Sequence, residues 1–445
     1  MAILNYPTPH IVAWHDDDDS EGLLGGGSHF AKITRTLDYI NDPERREQPG
    51  FDDELVFMLD AYDIWFQLPM EQLLSRYEGI VAEENDRVSV IFGGGKRCAP
   101  NLIHTLACYP IPPSPLPEDL RGAHTDSAMG STEYSAYRTR YLNSGYIIGP
   151  VKDVRRVLER AKEGLEACMD RHGASYDDGS GKTDECYHGS DQSIFVEMFG
   201  TQEFQREAMR RQHRTWLDKF LDKFISGRAG SEPPLAYAMG VPVKDRLNPD
   251  FAHEANDTSY QPGKPFEMGI AIDYWSLLGH QSANAHEDGR YIRYNESIDS
   301  QIGERGRFEC PGKAILPADL PAGQISLIPT EPNTWDSMPL YTEVCVAKVP
   351  VMIHHNSWFK DRREQQWDST WWHGRSRALL QQQRENGYEM LSNGVSTDNG
   401  TVVQWTELCP RDVEPELFRD VTKDEIENEK KSDDRAEVSE SGNGF

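Results

Sequence analysis

The chain opens with two short apolar stretches, Ala2–Tyr6 and His10–Trp14, either of which suits a strand. Phe30, Ile33, Leu37 and Ile40 recur at helical spacing and predict an amphipathic helix over Phe30–Ile40. Leu55–Leu59 is a mostly apolar run, the pattern of a strand buried on both faces. A helix is predicted over Pro69–Glu84, with Pro at an early position where its missing N–H is tolerated. Val88–Phe92 is the next strand, closed by Gly93-Gly-Gly95. Tyr141–Ile148 predicts another strand and Val151–Arg171 a long helix. Two helical segments follow, near Ser190–Phe199 and Gln202–Ser226. Met268–Tyr274 and Tyr341–Ile353 read as strands, and Asp361–Asn386 as a charged helix with Trp367, Trp371 and Trp372 in its first half.

Such alternation of strand and helix predicts an α/β fold with a parallel, doubly wound sheet. A single domain is expected over 1–390, with Pro- and Gly-rich insertions near 110–135 and 228–265. A C-terminal extension follows at 391–422. From Lys423 the residues are nearly all charged or small, which predicts an acidic, disordered tail over 423–445.

Composition narrows the function. Lys plus Arg is 46 and Asp plus Glu is 74, a net charge of −28, which argues against nucleic acid as the main partner. It leaves room for a phosphate-bearing ligand bridged by a cation. No apolar run approaches the roughly 18 residues of a membrane span, so no membrane contact is expected from this chain. The start has neither a basic segment nor a long apolar core, and does not read as a signal peptide. The seven cysteines include no CxxC pair, and their odd number leaves at least one free or paired between chains. For this length that count is too low for a disulfide scaffold. Asn256-Asp-Thr258, Asn295-Glu-Ser297 and Asn399-Gly-Thr401 are glycosylation sequons, which allow a secretory location without arguing for it.

The sharpest local signal is Leu55-Val-Phe-Met-Leu-Asp60-Ala-Tyr-Asp63. An apolar strand delivers two carboxylates at its carboxyl end, where open α/β sheets bind ligands. Such a pair suits a hard divalent cation. The same spacing suits two solvated Asp capping a turn. Val349-Pro-Val-Met-Ile-His354 repeats the pattern, and His354 would complete an Asp/Asp/His set that favours Mn over Mg. Read alone, His354 is equally a strand-end imidazole bonded to backbone. In Tyr141-Leu-Asn143-Ser144-Gly145, Gly145 either allows close backbone approach to a ligand or marks a strand bulge. In Ser190-Asp191-Gln192, Asp191 either caps a helix or faces a substrate hydroxyl.

In this order, the four signals resemble the glycosyltransferase domain of the procollagen lysyl hydroxylase/glycosyltransferase family, and more closely its fungal relatives. The matching stretches are Asp60-x-Tyr-Asp63 with Phe66, Val-Ile-Phe92 before Cys98-x-Pro100, and Leu142-Asn-Ser-Gly145 with Ile148-Gly149. Then come Ser190-Asp-Gln192, Ile272-Asp273 and Pro350-Val-Met-Ile-His354-x-Asn356. The fungal relatives also match at Gly25-Gly-Gly-Ser-His29 and Ala31-Lys32.

The resemblance implies a GT-A, Rossmann-like fold with a mainly parallel sheet flanked by helices. It implies transfer of a hexose from a UDP-sugar to a hydroxyl acceptor, a glycan or a glycoprotein. Asp60, Asp63 and His354 would hold Mn2+ or Mg2+. Tyr62 would lie near the uracil or ribose, and Asn143, Ser144 and Gly145 would line the donor sugar. Lys32 would help hold the nucleotide and Lys360 would reach its diphosphate. Asp191 and Gln192 would be catalytic, with Asp191 as the carboxylate. A setting in the Golgi or ER lumen is likewise inherited. The chain departs from the family at Lys96-Arg97-Cys98-Ala99, where an acidic residue and a Trp are usual, so collagen hydroxylysine is not the expected acceptor. A non-catalytic binding protein on the same scaffold is the alternative that this departure motivates.

Other motifs carry less. Gly179-Ser-Gly181-Lys182-Thr183 lacks the first Gly of a P-loop, since Tyr stands at 176. Asp16–Gly22 lacks the Glu that closes an EF-hand loop. His124-Thr-Asp126 has the look of an iron site but sits in the Pro-rich excursion.

Overall fold

Two strands buried on both faces, Val90–Gly95 and Tyr141–Pro150, set the architecture. The computed structural model describes residues 1–14, 28–84, 87–121 apart from 104 and 109, 136–172, 175–177, 183–212, 267–302, 310, 314–320, 334–357, 360–388, 391, 393–410, 413 and 418. In chain order its first elements are β1 (His10–Ile11), α1 (Ser28–Ile40), α2 (Pro43–Arg46), β2 (Leu55–Leu59), β3 (Ile64–Phe66) and α3 (Met70–Glu83). Then come β4 (Val90–Gly95), β5 (Tyr141–Pro150), α4 (Val151–His172), β6 (Ser175–Asp177), β7 (Thr183–Glu185) and α5 (Asp191–Gln212). The next are β8 (Ile270–Ile272), β9 (Gly279–Gln281), β10 (Gly289–Ile292), α6 (Ile298–Ile302), β11 (Leu340–Glu343) and β12 (Met352–His354). The last are α7 (Lys360–Trp367), α8 (Ser376–Glu385), β13 (Val395–Thr397), β14 (Val402–Val403) and α9 (Trp405–Leu408).

The central sheet runs in the order β2-β5-β4-β8. Successive side chains of a strand face opposite ways. Val90, Phe92 and Ile147 therefore pack with Phe30, Ile33, Leu37, Val154, Leu158 and Phe195 of α1, α4 and α5. Ile91, Tyr146 and Ile148 pack on the other face with Leu73 and Tyr77 of α3, Phe66, Met352 and Leu379. That second face carries a smaller sheet, β3-β12-β9. The chain is thus a mixed α/β structure, helices on one face and a helix-backed sheet on the other.

Several sequence expectations need correcting. The sheet is mixed, not mainly parallel: β5 pairs antiparallel with both β2 and β4, and only β4 and β8 pair parallel. β2, β4 and β8 still share one direction, so their carboxyl ends meet at one edge. Leu55–Leu59 is an edge strand with Leu55 39% exposed, and β5 is the strand buried on both faces. Tyr341–Ile353 is two strands, because Glu343 and Lys348 exchange backbone hydrogen bonds around a turn in which Ala347 takes a left-handed φ of 55°.

The predicted helix over Asp361–Asn386 is likewise broken between α7 and α8. The Trp371 and Trp372 indoles donate to the Gln67 and Phe66 carbonyls at 2.9 and 3.0 Å, and those anchors replace helical continuity. The two helices expected around Gly200 are one, α5. Ala2–Leu4 forms a 3-10 turn rather than a strand, and β13 returns to pair in parallel with β1. Cys98–Cys108, Cys168–Cys186 and Cys310–Cys345 are disulfides, and the odd cysteine, Cys409, is buried outside them. The acidic loop at 16–22, the loop at 179–182, His124 with Asp126, the excursion at 228–265 and the tail lie outside the described residues.

Candidate functional site

The site forms where β2 ends. β5 runs against β2, so its amino end, Asn143–Gly145, lies beside that carboxyl end, and the Asp60 N–H donates to the Gly145 carbonyl at 2.9 Å. α1 brings Lys32 from one side, α5 opens with Asp191 and Gln192 above, and β12 delivers His354 from the second sheet.

A chain of hydrogen bonds joins them. The Gln192 side-chain amide donates to the Ala99 carbonyl. That carbonyl can only accept, which fixes the direction of each later bond. Gln192 Oε1 accepts from Asn143 Nδ2 at 2.7 Å. Asn143 Oδ1 then accepts the Gly145 N–H at 3.1 Å and faces His354 Nδ1 at 3.0 Å, so Nδ1–H is the donor. The network thereby sets the His354 tautomer, the usual task of groups behind a metal-ligating imidazole. Nε2 is left with no hydrogen-bond partner, 3.5 Å from Asp60 Oδ2. At that separation it is a close neighbour of Asp60 rather than a hydrogen-bond partner.

Asp60 is held from its other oxygen. The Lys32 ammonium donates to Asp60 Oδ1 at 2.8 Å and to the Ser144 carbonyl at 2.6 Å, and stands 3.3 Å from Asp191 Oδ2. Burial raises the Asp60 pKa, but the Lys32 charge outweighs it, with His354 adding, and holds the carboxyl well below the usual carboxylate range. Burial likewise lowers the Lys32 pKa, and the Asp191 and Asp60 charges more than offset it and raise it.

Lys32, Asp60, Asn143, Ser144, Gly145, Asp191, Gln192 and His354 therefore converge, as the sequence reading expects. Asp63 does not join them: its Oδ1 accepts from Arg363 of α7 at 2.7 Å. Among the described residues no three His, Cys, Asp or Glu side chains gather as a metal-holding set. Tyr62 points outward, 83% exposed. Lys360 opens α7, and its side chain lies outside the described residues.

Sequence reasoning misses three participants. Arg363 is separated from Asp63 by 300 positions, and only its place in the basic start of α7 hints at an anion partner. The Ala99 carbonyl carries no side-chain signal at all. Gln281 ends β9 in register with His354, and its Oε1 is buried without a partner. Asp273, by contrast, is a turn-holder: it accepts the Leu277, Leu278 and Gly279 N–H groups and the Tyr146 hydroxyl. A cavity of about 70 Å³ lies elsewhere, lined by Arg160, Gly164, Tyr187 and Glu197. It includes none of the converging residues and is far smaller than the few hundred Å³ of an ordinary ligand pocket. The polar convergence at Asp60 is the better candidate.

Compared with models of known protein families, the chain matches none, and no curated protein matches it.

Proposed function

We propose that the chain is a metal-dependent glycosyltransferase of GT-A type, moving a hexose from a UDP-sugar to a hydroxyl of a glycan or glycoprotein. One observation carries this reading. The tautomer set through Gln192 and Asn143 points an unpartnered His354 Nε2 at the Asp60 carboxylate. With the ring neutral, that nitrogen offers a lone pair, and a cation between it and the carboxylate would satisfy both. Asp60 and His354 thus fit a divalent ion, and their mix of oxygen and nitrogen suits Mn2+ better than Mg2+. Asp63, tied to Arg363, is not counted as a ligand in this arrangement.

When bound, the ion would neutralise charge on the departing diphosphate. The chain's own groups do the rest. Asn143 and Gly145 present a polar, close-fitting wall for the donor sugar, and Tyr62 offers an exposed ring for the base. Asp191, 8% exposed, would be the carboxylate that meets a sugar or acceptor hydroxyl. Lumenal residence is part of the proposal, supported by three disulfides, which persist in oxidising compartments.

The second reading is a nucleotide-sugar-binding protein without turnover. It is favoured by the Lys32–Asp60 and Arg363–Asp63 pairs, which neutralise both carboxylates internally. A thermal-shift titration of UDP, GDP and ADP, each with Mn2+, Mg2+ or chelator, tests the common ground. A ligand at a hundred times its Kd stabilises the native state by about 2.7 kcal/mol. The expected result is a rise specific to UDP with Mn2+. No shift with any nucleotide overturns both readings. Consumption of a UDP-sugar, against binding alone, separates the two.

A further inference from the structure

Asp60 and Asp191 are already bridged by a cation, and it belongs to the chain. The Lys32 ammonium has three oxygens around it: Asp60 Oδ1 at 2.8 Å, the Ser144 carbonyl at 2.6 Å and Asp191 Oδ2 at 3.3 Å. Two of the three N–H donors of the ammonium are used by Asp60 and the Ser144 carbonyl, and Asp191 Oδ2 stands within ion-pair reach without a hydrogen bond. Phe30, Ile33 and Leu37 anchor the surrounding turns of α1 in the core, which fixes the root of Lys32 and leaves only its stem to move. Its side chain is 16% exposed, so the charge is satisfied almost wholly by protein. Across the same carboxylate, the 2%-exposed His354 turns its unpartnered Nε2 toward Asp60 Oδ2.

We propose that Lys32 is the resident cation of this site and makes divalent-cation binding conditional on a diphosphate. The identity of the diphosphate as a nucleotide rests on the function proposed above; the competition between Lys32 and metal does not. A divalent ion taken up between Asp60 Oδ2 and His354 would share the carboxylate with an ammonium already bonded to Oδ1. In the chain alone, that sharing sets a divalent ion against a nearly buried ammonium, which is costly. A diphosphate reverses the balance. Its oxygens give the ammonium a new partner and give the ion the ligands that the protein lacks. Cation and diphosphate therefore bind cooperatively, and by linkage each raises the affinity of the other by the same factor.

The test is Mn2+ binding by the full chain, read from the loss of the free-ion paramagnetic resonance signal, with and without inorganic pyrophosphate, after correction for the Mn2+ that pyrophosphate itself binds. Wild type is expected to bind Mn2+ weakly alone and at least tenfold more tightly with pyrophosphate. Lys32→Met keeps the stem and removes the charge. It is expected to bind Mn2+ at least tenfold more tightly than wild type without any phosphate, and to gain less from pyrophosphate. Lys32→Arg keeps a cation and is expected to stay as weak as wild type. Equal Mn2+ affinity in wild type and Lys32→Met overturns the proposal, and so does wild-type binding that pyrophosphate leaves unchanged. The wild-type comparison stands even where a variant fails to fold. Neither arm uses UDP, so a chain that proves not to bind UDP still reports on Lys32.

Discussion

Gly145 lies directly under the imidazole of His354: a Cβ built on Gly145 would overlap Cε1 and stand 2.5 Å from Nδ1 and 2.6 Å from Nε2. The absence of a side chain at 145 is what lets a ring from the second sheet reach the end of the first. Gly145 has no left-handed φ, so this is a matter of close approach, and it falls where the β4–β5 register slips: Phe92 pairs with Ile147 and Gly93 with Asn143, so β5 bulges across 144–146.

Gly145→Ala forces that ring aside. The imidazole cannot yield easily, because Asn143 Oδ1 holds Nδ1 at 3.0 Å and the residue is only 2% exposed. Overpacking of this kind costs about 1–3 kcal/mol. The expected outcome is a lower melting temperature together with loss of the Mn2+-dependent response to UDP. A variant with wild-type Mn2+ and UDP responses shows that His354 is not needed where the structure puts it.

Asp60→Ala separates the cation site from the scaffold. Lys32 keeps Asp191 and the Ser144 carbonyl, so the fold is expected to survive. Metal-dependent UDP binding is expected to vanish in the thermal-shift titration. Wild-type UDP affinity in the presence of Mn2+ rules out Asp60 as a metal ligand.

How much of this was readable beforehand varies residue by residue, for physical reasons. Asp60, Asp191 and His354 were legible because each ends or begins an apolar element, and such ends are where side chains leave the core. The direction of β5 was not, because Tyr141–Gly149 is buried on both faces, polar Asn143 and Ser144 included, and a strand without an exposed face carries no sense of which way it pairs. The Asp63–Arg363 pair was not legible either. It forms between charged residues 300 positions apart, and nothing local couples them. Asp60-x-x-Asp63 looks like one motif in sequence, yet β3 begins one residue after Asp63, and the two carboxylates meet different cations.

A buried charge quartet ties β10 and β11 to the end of β4. Lys96 Nζ lies 2.6 Å from Asp288 Oδ2, Arg121 pairs with Asp288, and Arg121 NH2 lies 3.3 Å from Glu343 Oε1. Burial pushes the Glu343 carboxyl up to about 7 against the pull of Arg121, with the Asp288 charge adding to the rise. Folded Glu343 therefore keeps a proton at a pH where the unfolded carboxyl, at about 4.3, has lost it. That contribution favours the fold at acid pH and is lost as pH rises through about 7. His280, which burial depresses to about 4, works in the opposite sense over part of the same range. The Glu343→Gln variant isolates the carboxyl. Its stability relative to wild type, measured by urea unfolding at several pH values, is expected to increase steadily as pH rises from about 5 to about 7. A difference independent of pH means that Glu343 stays ionised in the fold.

The Cys98–Cys108 disulfide closes the loop that carries the Ala99 carbonyl, the fixed end of the Gln192–Asn143–His354 chain. Its two cysteines are 10 positions apart. Cross-linking a loop of that order contributes about 3 kcal/mol in the chain-entropy account. Replacing both cysteines with Ser is therefore expected to lower the melting temperature, and to do more than that. With the loop released, Gln192 loses its fixed acceptor, Asn143 is free to turn, and His354 is no longer held with Nε2 toward Asp60. Mn2+-dependent UDP binding should weaken well before the chain unfolds, as read by titration at a temperature where the variant is still native. The Cys168–Cys186 pair supplies the control, since it ties α4 to the segment before α5 and forms no part of that hydrogen-bond chain. Its removal is expected to cost stability while leaving UDP affinity intact. Equal loss of binding from the two double-Ser variants means the effect is general loosening, and the Ala99 anchor then has no special place in the site.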